Sequence, residues 1–382
     1  MQLSLISLAL TRIYGGGATA FSPLSLFAGG EQGVWYDPSD LSTMFQDSLG
    51  TTPVTAAGQP VGLILDKSKG LALGAELVTN GGFDSATGWT LSAGFTISGS
   101  ALNIAGVSSG NASNTLLGLA GKYYELSVDV VSLSGGTLNI SIGSSGKIVS
   151  TPGIHTFRVL AAVNNSLFIL ISTGTVTAVI NSISAKEVAG NHASQATAAK
   201  RPLLQNDGVN NYLDFDGVDD GLVTSAIDLS VTNKLTNFAG IRKSSDAARG
   251  VIVEMGANYA VAGSFGIEHS DGGPNVRFTS PQGALAYTVA APVTAVVSQI
   301  MDNAAPTNSV IGRWNGVQVV QGLTGPNYNF GNRQVGVGVR VEGTLPLNGN
   351  IYSLIVLGRT ATTQEVADTE SWVAAKTGVT LP

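Results

Sequence analysis

An all-β fold is predicted by three features of the sequence. Gly supplies 49 of 382 residues, and charged residues only 12%, about half the usual share. Ser and Thr are plentiful and Lys is scarce. Apolar residues alternate with polar ones in short runs throughout most of the chain, which is the period of a half-buried strand. Those runs are broken by tight turn dipeptides, as in residues 207–224, DGVNNYLDFDGVDDGLVT, where Asn-Asn, Asp-Gly and Asp-Asp-Gly flank Tyr212, Leu213, Phe215 and Leu222.

The elements follow in order. Residues 1–30 are apolar and Gly/Ser-rich, with Gly15, Gly16 and Gly17 as a hinge. Leu3 to Leu10 is short and no Lys or Arg precedes it, so it lacks the charged region of a secretory leader. It reads as a docking arm, with a plain first strand as the alternative. No run reaches the length of a membrane span. Residues 34–36 start a strand. Asp37 to Asp40 make a turn, residues 41–45 a short helical turn, and residues 61–65 a strand. Alternating strands follow at 124–131, 137–142, 155–161, 167–172 and 178–188. Beyond residue 224, strands are read at 237–241, 251–255, 264–268, 275–279, 294–302, 309–314, 318–321, 335–340 and 347–357. Asn315-Gly316 suits a type I′ hairpin turn. Residues 362–378 form the one α-helix, with Thr363 as its cap, a stripe of Val366, Trp372 and Val373, and Lys376 and Gly378 at its end.

The phrase LDFDGVDDGL resembles the first inner strand of the concanavalin-like, laminin-G-like jelly roll. The 347–357 strand and the final helix resemble that family's close. The family phrase running from "DKSG" to "NHAxQAT" is split here: Asp66, Lys67 and Ser68 stand about 120 residues before Asn191, His192 and Ala193. Between them, ELVTNGGFDSATGW and AVINSISAKEV resemble the two ends of a carbohydrate-binding jelly roll. The resemblances imply two jelly-roll β-sandwiches, one inserted in the other, with an N-terminal anchoring arm and one C-terminal α-helix. The implied divisions are an arm at 1–32, a host sandwich at 33–70 plus 190–382, and an insert at 71–189. An insertion whose ends lie close together costs little entropy.

Chemistry is sparse. There is no cysteine, which excludes disulfides and thiolate sites. The net charge of −6 and the absence of a basic run exclude nucleic acid as a partner. His155, His192 and His269 stand apart from one another and from carboxylates at ligand spacing. No paired-carboxylate strand motif, Gly-Xaa-Ser-Xaa-Gly elbow or phosphate loop is present. Asp216, Asp219 and Asp220 lie close in sequence, and resemblance to the sandwich family implies a Ca2+ option there, against plain turn chemistry. In the insert, Phe95, Tyr123 and Tyr124 are the candidate sugar platforms, whereas Trp89 corresponds to a residue that is structural in the resembled family.

The composition and the split phrases together resemble virion proteins of tailed bacteriophages. That resemblance implies a non-enzymatic structural protein, assembled in the bacterial cytoplasm and carried on the particle as a homo-oligomer. Its arm would contact other virion proteins and its sandwiches the host-surface polysaccharide. Tail association is the first expectation and a head decoration or head fibre the second. A secreted polysaccharide-active enzyme is a third, disfavoured by the missing carboxylates and leader.

Overall fold

The computed structural model describes residues 21–269 and 272–382. They form a nearly all-β structure of β-sandwich type in which every strand pairing is antiparallel, closed by the helix Thr363–Thr377. No helix among the described residues is long and apolar enough to cross a membrane.

Two sheets face each other across the largest core. The first runs in the order Leu203–Asn206, Asn211–Asp216, Asn348–Leu357, Lys234–Lys243, Val293–Asp302, Val310–Trp314, Val317–Gly322, with Gly33–Tyr36 also paired to Asn348–Leu357. The second runs from Met44–Phe45 through Leu63–Ile64, Ala193–Ser194, Leu222–Thr224, Val335–Val337, Gly250–Met255, Gly266–His269 and Asn275–Ser280 to Gly283–Thr288. Leu213, Phe215, Ile241, Phe278, Val297 and Leu354 are among the side chains buried between them. They are the alternate residues of their strands, as a period of two requires. Gly338, at φ +71°, passes so close to Phe215 that a Cβ there would collide with the ring. Asn315 and Gly316 both have positive φ, as a type I′ turn demands.

The helix covers the outer side of the first sheet. Its Val366 and Val373 pack onto Leu26, Phe27, Trp35, Phe238 and Ile355. Its cap is Thr362, not Thr363. The Thr362 hydroxyl accepts from the Glu365 amide at 3.2 Å, and the Glu365 carboxylate accepts from the Thr362 amide at 2.7 Å. A capping box needs its Glu three residues after the cap, and only Thr362 satisfies that spacing.

The arm expected over residues 1–32 lies outside the described residues for its first twenty. The remainder is packed: Ser22 caps a 3₁₀ turn at Pro23–Phe27, whose Leu26 and Phe27 lie in the core under the helix.

Strands from residues 73–188 make a third sheet with its own core, which includes Phe83, Leu126, Ile140, Ile169 and Ile180. Two strands dominate it, Tyr123–Ile142 and Asn165–Val188, paired along nearly their whole length. The sequence reads each of them as two strands. Trp89 is buried, with its ring 5.1 Å from Phe83 and its Nε1–H donated to the Asn80 carbonyl.

The chain leaves the second sheet after Leu63–Ile64 and returns beside it at Ala193–Ser194. Buried polar groups lock this junction. The Asp66 carboxylate accepts from the amides of Trp35 (2.8 Å), Ser68 (2.8 Å) and Asn191 (2.7 Å). The Asp66 amide donates to His192 Nδ1 at 3.0 Å. The two halves of the split phrase therefore meet in space.

Candidate functional site

The three aromatic candidates for sugar platforms, Phe95, Tyr123 and Tyr124, are interior. Phe95 is 4% exposed, Tyr123 0% and Tyr124 2%. Tyr123 is wedged at the junction, 5.3 Å from the His192 ring and 6.2 Å from Phe45. Tyr124 packs into the core of the third sheet, and its hydroxyl accepts from the Leu119 amide at 3.1 Å. Neighbouring strand residues point to opposite faces, and at Tyr123-Tyr124 both faces are covered. No ring face is left for a sugar, so these residues are packing groups.

Asp216, Asp219 and Asp220 do converge. Each offers a carboxylate oxygen, all within 4.8 Å of one another. The oxygens are also engaged in local turn bonds: Asp216 Oδ1 accepts from the amides of Val218 (2.8 Å) and Asp219 (3.4 Å), and Asp220 Oδ2 from the Asp216 amide (3.2 Å). Burial, then the neighbouring carboxylates Asp216, Asp219 and Asp214, push the Asp220 carboxyl up to about 6. This is an Asx-turn arrangement. Added calcium is expected to move the thermal midpoint by less than about 1 °C, whereas Asp220→Asn should raise stability at pH 7 by roughly 1–2 kcal/mol, because it removes a poorly solvated charge. A calcium-dependent rise that D220N abolishes would establish a metal site instead.

A more promising feature lies where the third sheet meets the loop that follows Met44–Phe45. A cleft of about 500 Å³ is lined by Phe45, Gly50, Thr51 and Pro53 on one side and by Gly146, Lys147, Ile148, Phe157, Arg158 and Val159 on the other. The first wall is rigid. The Asp47 carboxylate accepts from the amides of Leu49, Thr51 and Thr52 and from the Thr51 hydroxyl, all between 2.7 and 3.2 Å. The Leu49 carbonyl accepts from the Leu160 amide at 3.0 Å, which ties this wall to the opposite one. Gly50 sits at φ +76°, and a Cβ there would strike the Tyr123 hydroxyl.

The second wall comes from two edge strands, Ser145–Val149 and Gly153–Leu160, which among the described residues pair only with Tyr123–Ile142. Phe157 is partly buried, with the Lys147 ammonium 5.8 Å from its ring centroid. Ile148 is 50% exposed. Arg158 Nε donates to Glu125 at 2.9 Å. Among the described residues, no Asp, Glu or His lines the cleft. Sequence reasoning placed a strand at 155–161 without singling out Phe157. The available signal was an aromatic residue between the polar Thr156 and Arg158.

A second charged feature sits on the second sheet. Glu268 and Arg277 alternate with the core residues Ile267, Val276 and Phe278 and so point away from the core. Glu254 and Glu268 are both fully buried. Arg340 grips Glu254 through two bonds of 2.8 and 3.1 Å and reaches Glu268 at 3.7 Å. Arg249 grips Glu268 at 2.6 and 3.1 Å, and Arg277 lies 3.6 Å from it. The Tyr259 ring stacks on the guanidinium groups of Arg249 and Arg277, at 5.4 and 5.8 Å. Both glutamates are thus held as ion-pair partners.

No protein-family model matches the chain, and no curated protein matches it. Solved structures do. The CBM40 module of the Ruminococcus gnavus IT-sialidase, bound to α2,6-sialyllactose, matches with 16% identity over 41% of this chain and 96% of its own, at a TM-score of 0.31. The botulinum neurotoxin serotype G binding domain matches with 10% identity over 49% of this chain and 48% of its own, at 0.36. The binding domain of serotype D/C VPI 5993 matches with 9% identity over 48% of this chain and 49% of its own, at 0.35. The chain thus spans about half the length of the two toxin structures. The likeness to all three is partial, and no residue is carried over from them.

Proposed function

We propose that the protein is a non-enzymatic glycan-binding protein displayed on a phage particle, with the Phe45–Phe157 cleft as its binding site. The observation that carries this reading is the make-up of the cleft. Two aromatic rings, a hydroxyl and two cations line a concave space at a junction, and no acid or base for hydrolysis is among them. An aromatic ring offers a face on which the C–H side of a sugar packs, and hydroxyl and cationic groups orient it. The two buried glutamates of the second sheet are occupied by arginines, which also favours binding over catalysis.

In this reading residues 71–189 are an inserted sandwich, and residues 33–70 with 190–382 are the host. The cleft then belongs to both. The split "DKS" and "NHA" phrases and the Gly/Ser/Thr-rich composition support the virion setting. A more open depression of about 870 Å³, lined in part by Phe21, Leu24 and Phe27, lies where the arm enters the body, a suitable side for attachment to the particle. Several copies on one particle would turn weak single-site binding into firm adhesion. Tail association fits adhesion better than head decoration does.

Two measurements test this. On a glycan array the protein should bind a restricted set of oligosaccharides, and Phe157→Ala should weaken that binding at least tenfold while leaving the thermal midpoint within about 2 °C. Full binding by F157A would move the site elsewhere. Immunogold labelling of purified particles should place the protein at the tail; label over the head would select the decoration reading, and unlabelled particles would sink the virion reading.

A further inference from the structure

We infer that the ligand of the Phe45–Phe157 cleft is a saccharide carrying a carboxylate group, an inference that rests on the glycan-binding reading above. Two of the chain's 19 basic residues, Lys147 and Arg158, line this one space, although the chain as a whole is acidic at −6. Among the described residues, no Asp or Glu lines it. The cleft therefore runs against the average charge of the molecule.

The neighbouring acids do not cancel this. Asp47 turns its carboxylate back into its own loop, where four amide and hydroxyl donors hold it. Glu125 pairs with Arg158 through Nε only, among the contacts described for the guanidinium. A guanidinium carries further N–H donors on its other nitrogens. Lys147 has no carboxylate partner among the described residues, and its ammonium hangs over the Phe157 ring. A sugar stacked on Phe157 would thus present its substituents beside an unpaired cation. A carboxylate there would gain a charge-assisted hydrogen bond that a hydroxymethyl group cannot make. Walls formed by Phe45, Pro53 and Ile148 exclude some of the water that would otherwise screen it.

The test uses the full chain on an array of neutral, carboxylated and sulfated oligosaccharides. The best carboxylated binder is then compared with its carboxyl-reduced form by calorimetry. Carboxylated sugars are expected to lead. Carboxyl reduction should weaken binding at least tenfold in 50 mM salt, and by much less in 0.5 M salt. Lys147→Gln, at an exposed position, should remove most of that difference without changing the thermal midpoint, whereas F157A should weaken both forms. Neutral sugars binding as well as carboxylated ones would overturn the inference and leave the glycan reading standing. Sulfated sugars binding equally well would overturn it in favour of general anion attraction. An array with no binder at all would overturn both.

Discussion

Replacing Arg340 with alanine is expected to lower the thermal midpoint by roughly 10 °C. The argument is one of desolvation. Glu254 and Glu268 have no exposed surface, and Arg340, itself 13% exposed at the side chain, is the group that touches both. Without it Glu254 keeps only the Tyr259 amide as a described donor. Removing one partner of a buried ion pair costs about 3–5 kcal/mol, because the remaining charge has lost both water and counter-charge. For a body of this size each kcal/mol is worth about 2–4 °C. Burial already pushes the Glu254 carboxyl up, with Arg340 pulling it down. Without Arg340 the carboxyl would take a proton more easily, so the loss should be smaller at pH 5 than at pH 7. The double variant R340M/E254M should recover much of the stability, since an apolar pair leaves no stranded charge. A single variant that melts within about 2 °C of the parent would mean that water reaches Glu254.

The strands that were legible in the sequence are those whose alternation is uninterrupted. Asn211–Asp216 is an example, because Leu213 and Phe215 enter the large core with Asp214 between them. The long strands of the third sheet were not legible as single elements. Tyr123–Ile142 passes through Ser134, Gly135 and Gly136, with Gly135 at φ +77°, and its register with Asn165–Val188 shifts beside them. Such a bulge breaks the period of two, so the strand reads as two pieces. The helix cap was misplaced by one residue, since Thr362 and Thr363 are equivalent until the Glu365 carboxylate chooses between them.

The site was less legible than the fold. An aromatic residue in a strand reads as exposed or buried only when one face is known to be free. At Tyr123 both sides are covered, by Leu63, Leu65 and Val188. The cleft joins residues 45–53 to residues 146–159, about 100 positions apart, and no local pattern reports that the loop and the edge strands face each other. Glu268 and Arg277 were recognisable as polar positions of their strands. The pairing of Glu268 with Arg249 and Arg340 depends on how the loops before and after Gly250–Met255 and Val335–Val337 fold over the sheet.

His192→Asn is expected to flatten the acid side of the stability profile by about 3 kcal/mol. The ring bridges the chain's exit from the second sheet and its return. Nδ1 accepts from the Asp66 amide at 3.0 Å, which leaves the proton on Nε2, facing the Val188 carbonyl at 3.2 Å. A second proton on Nδ1 would point at an N–H group. Burial above all, then the charges of Lys122 and Arg158, hold the imidazole down to about 4 against its ordinary 6.5. The folded state therefore resists a proton that the unfolded chain accepts. The sign follows: the contribution is fully present above about pH 6.5, fades as pH falls from there to about 4, and is constant below. A shift of this size is worth about 3 kcal/mol at most. His269, buried and likewise held down to about 4, adds a term of the same sign, so the parent retains some slope in H192N. Asn keeps an acceptor for the Asp66 amide but does not titrate. Urea unfolding of parent and variant at pH 7 and pH 4 should show the parent's advantage shrinking by that amount. An advantage independent of pH would show that the ring is solvated. Because the same junction fixes the wall bearing Gly50 against the wall bearing Phe157, H192N should also weaken ligand binding at pH 7 with every cleft residue intact.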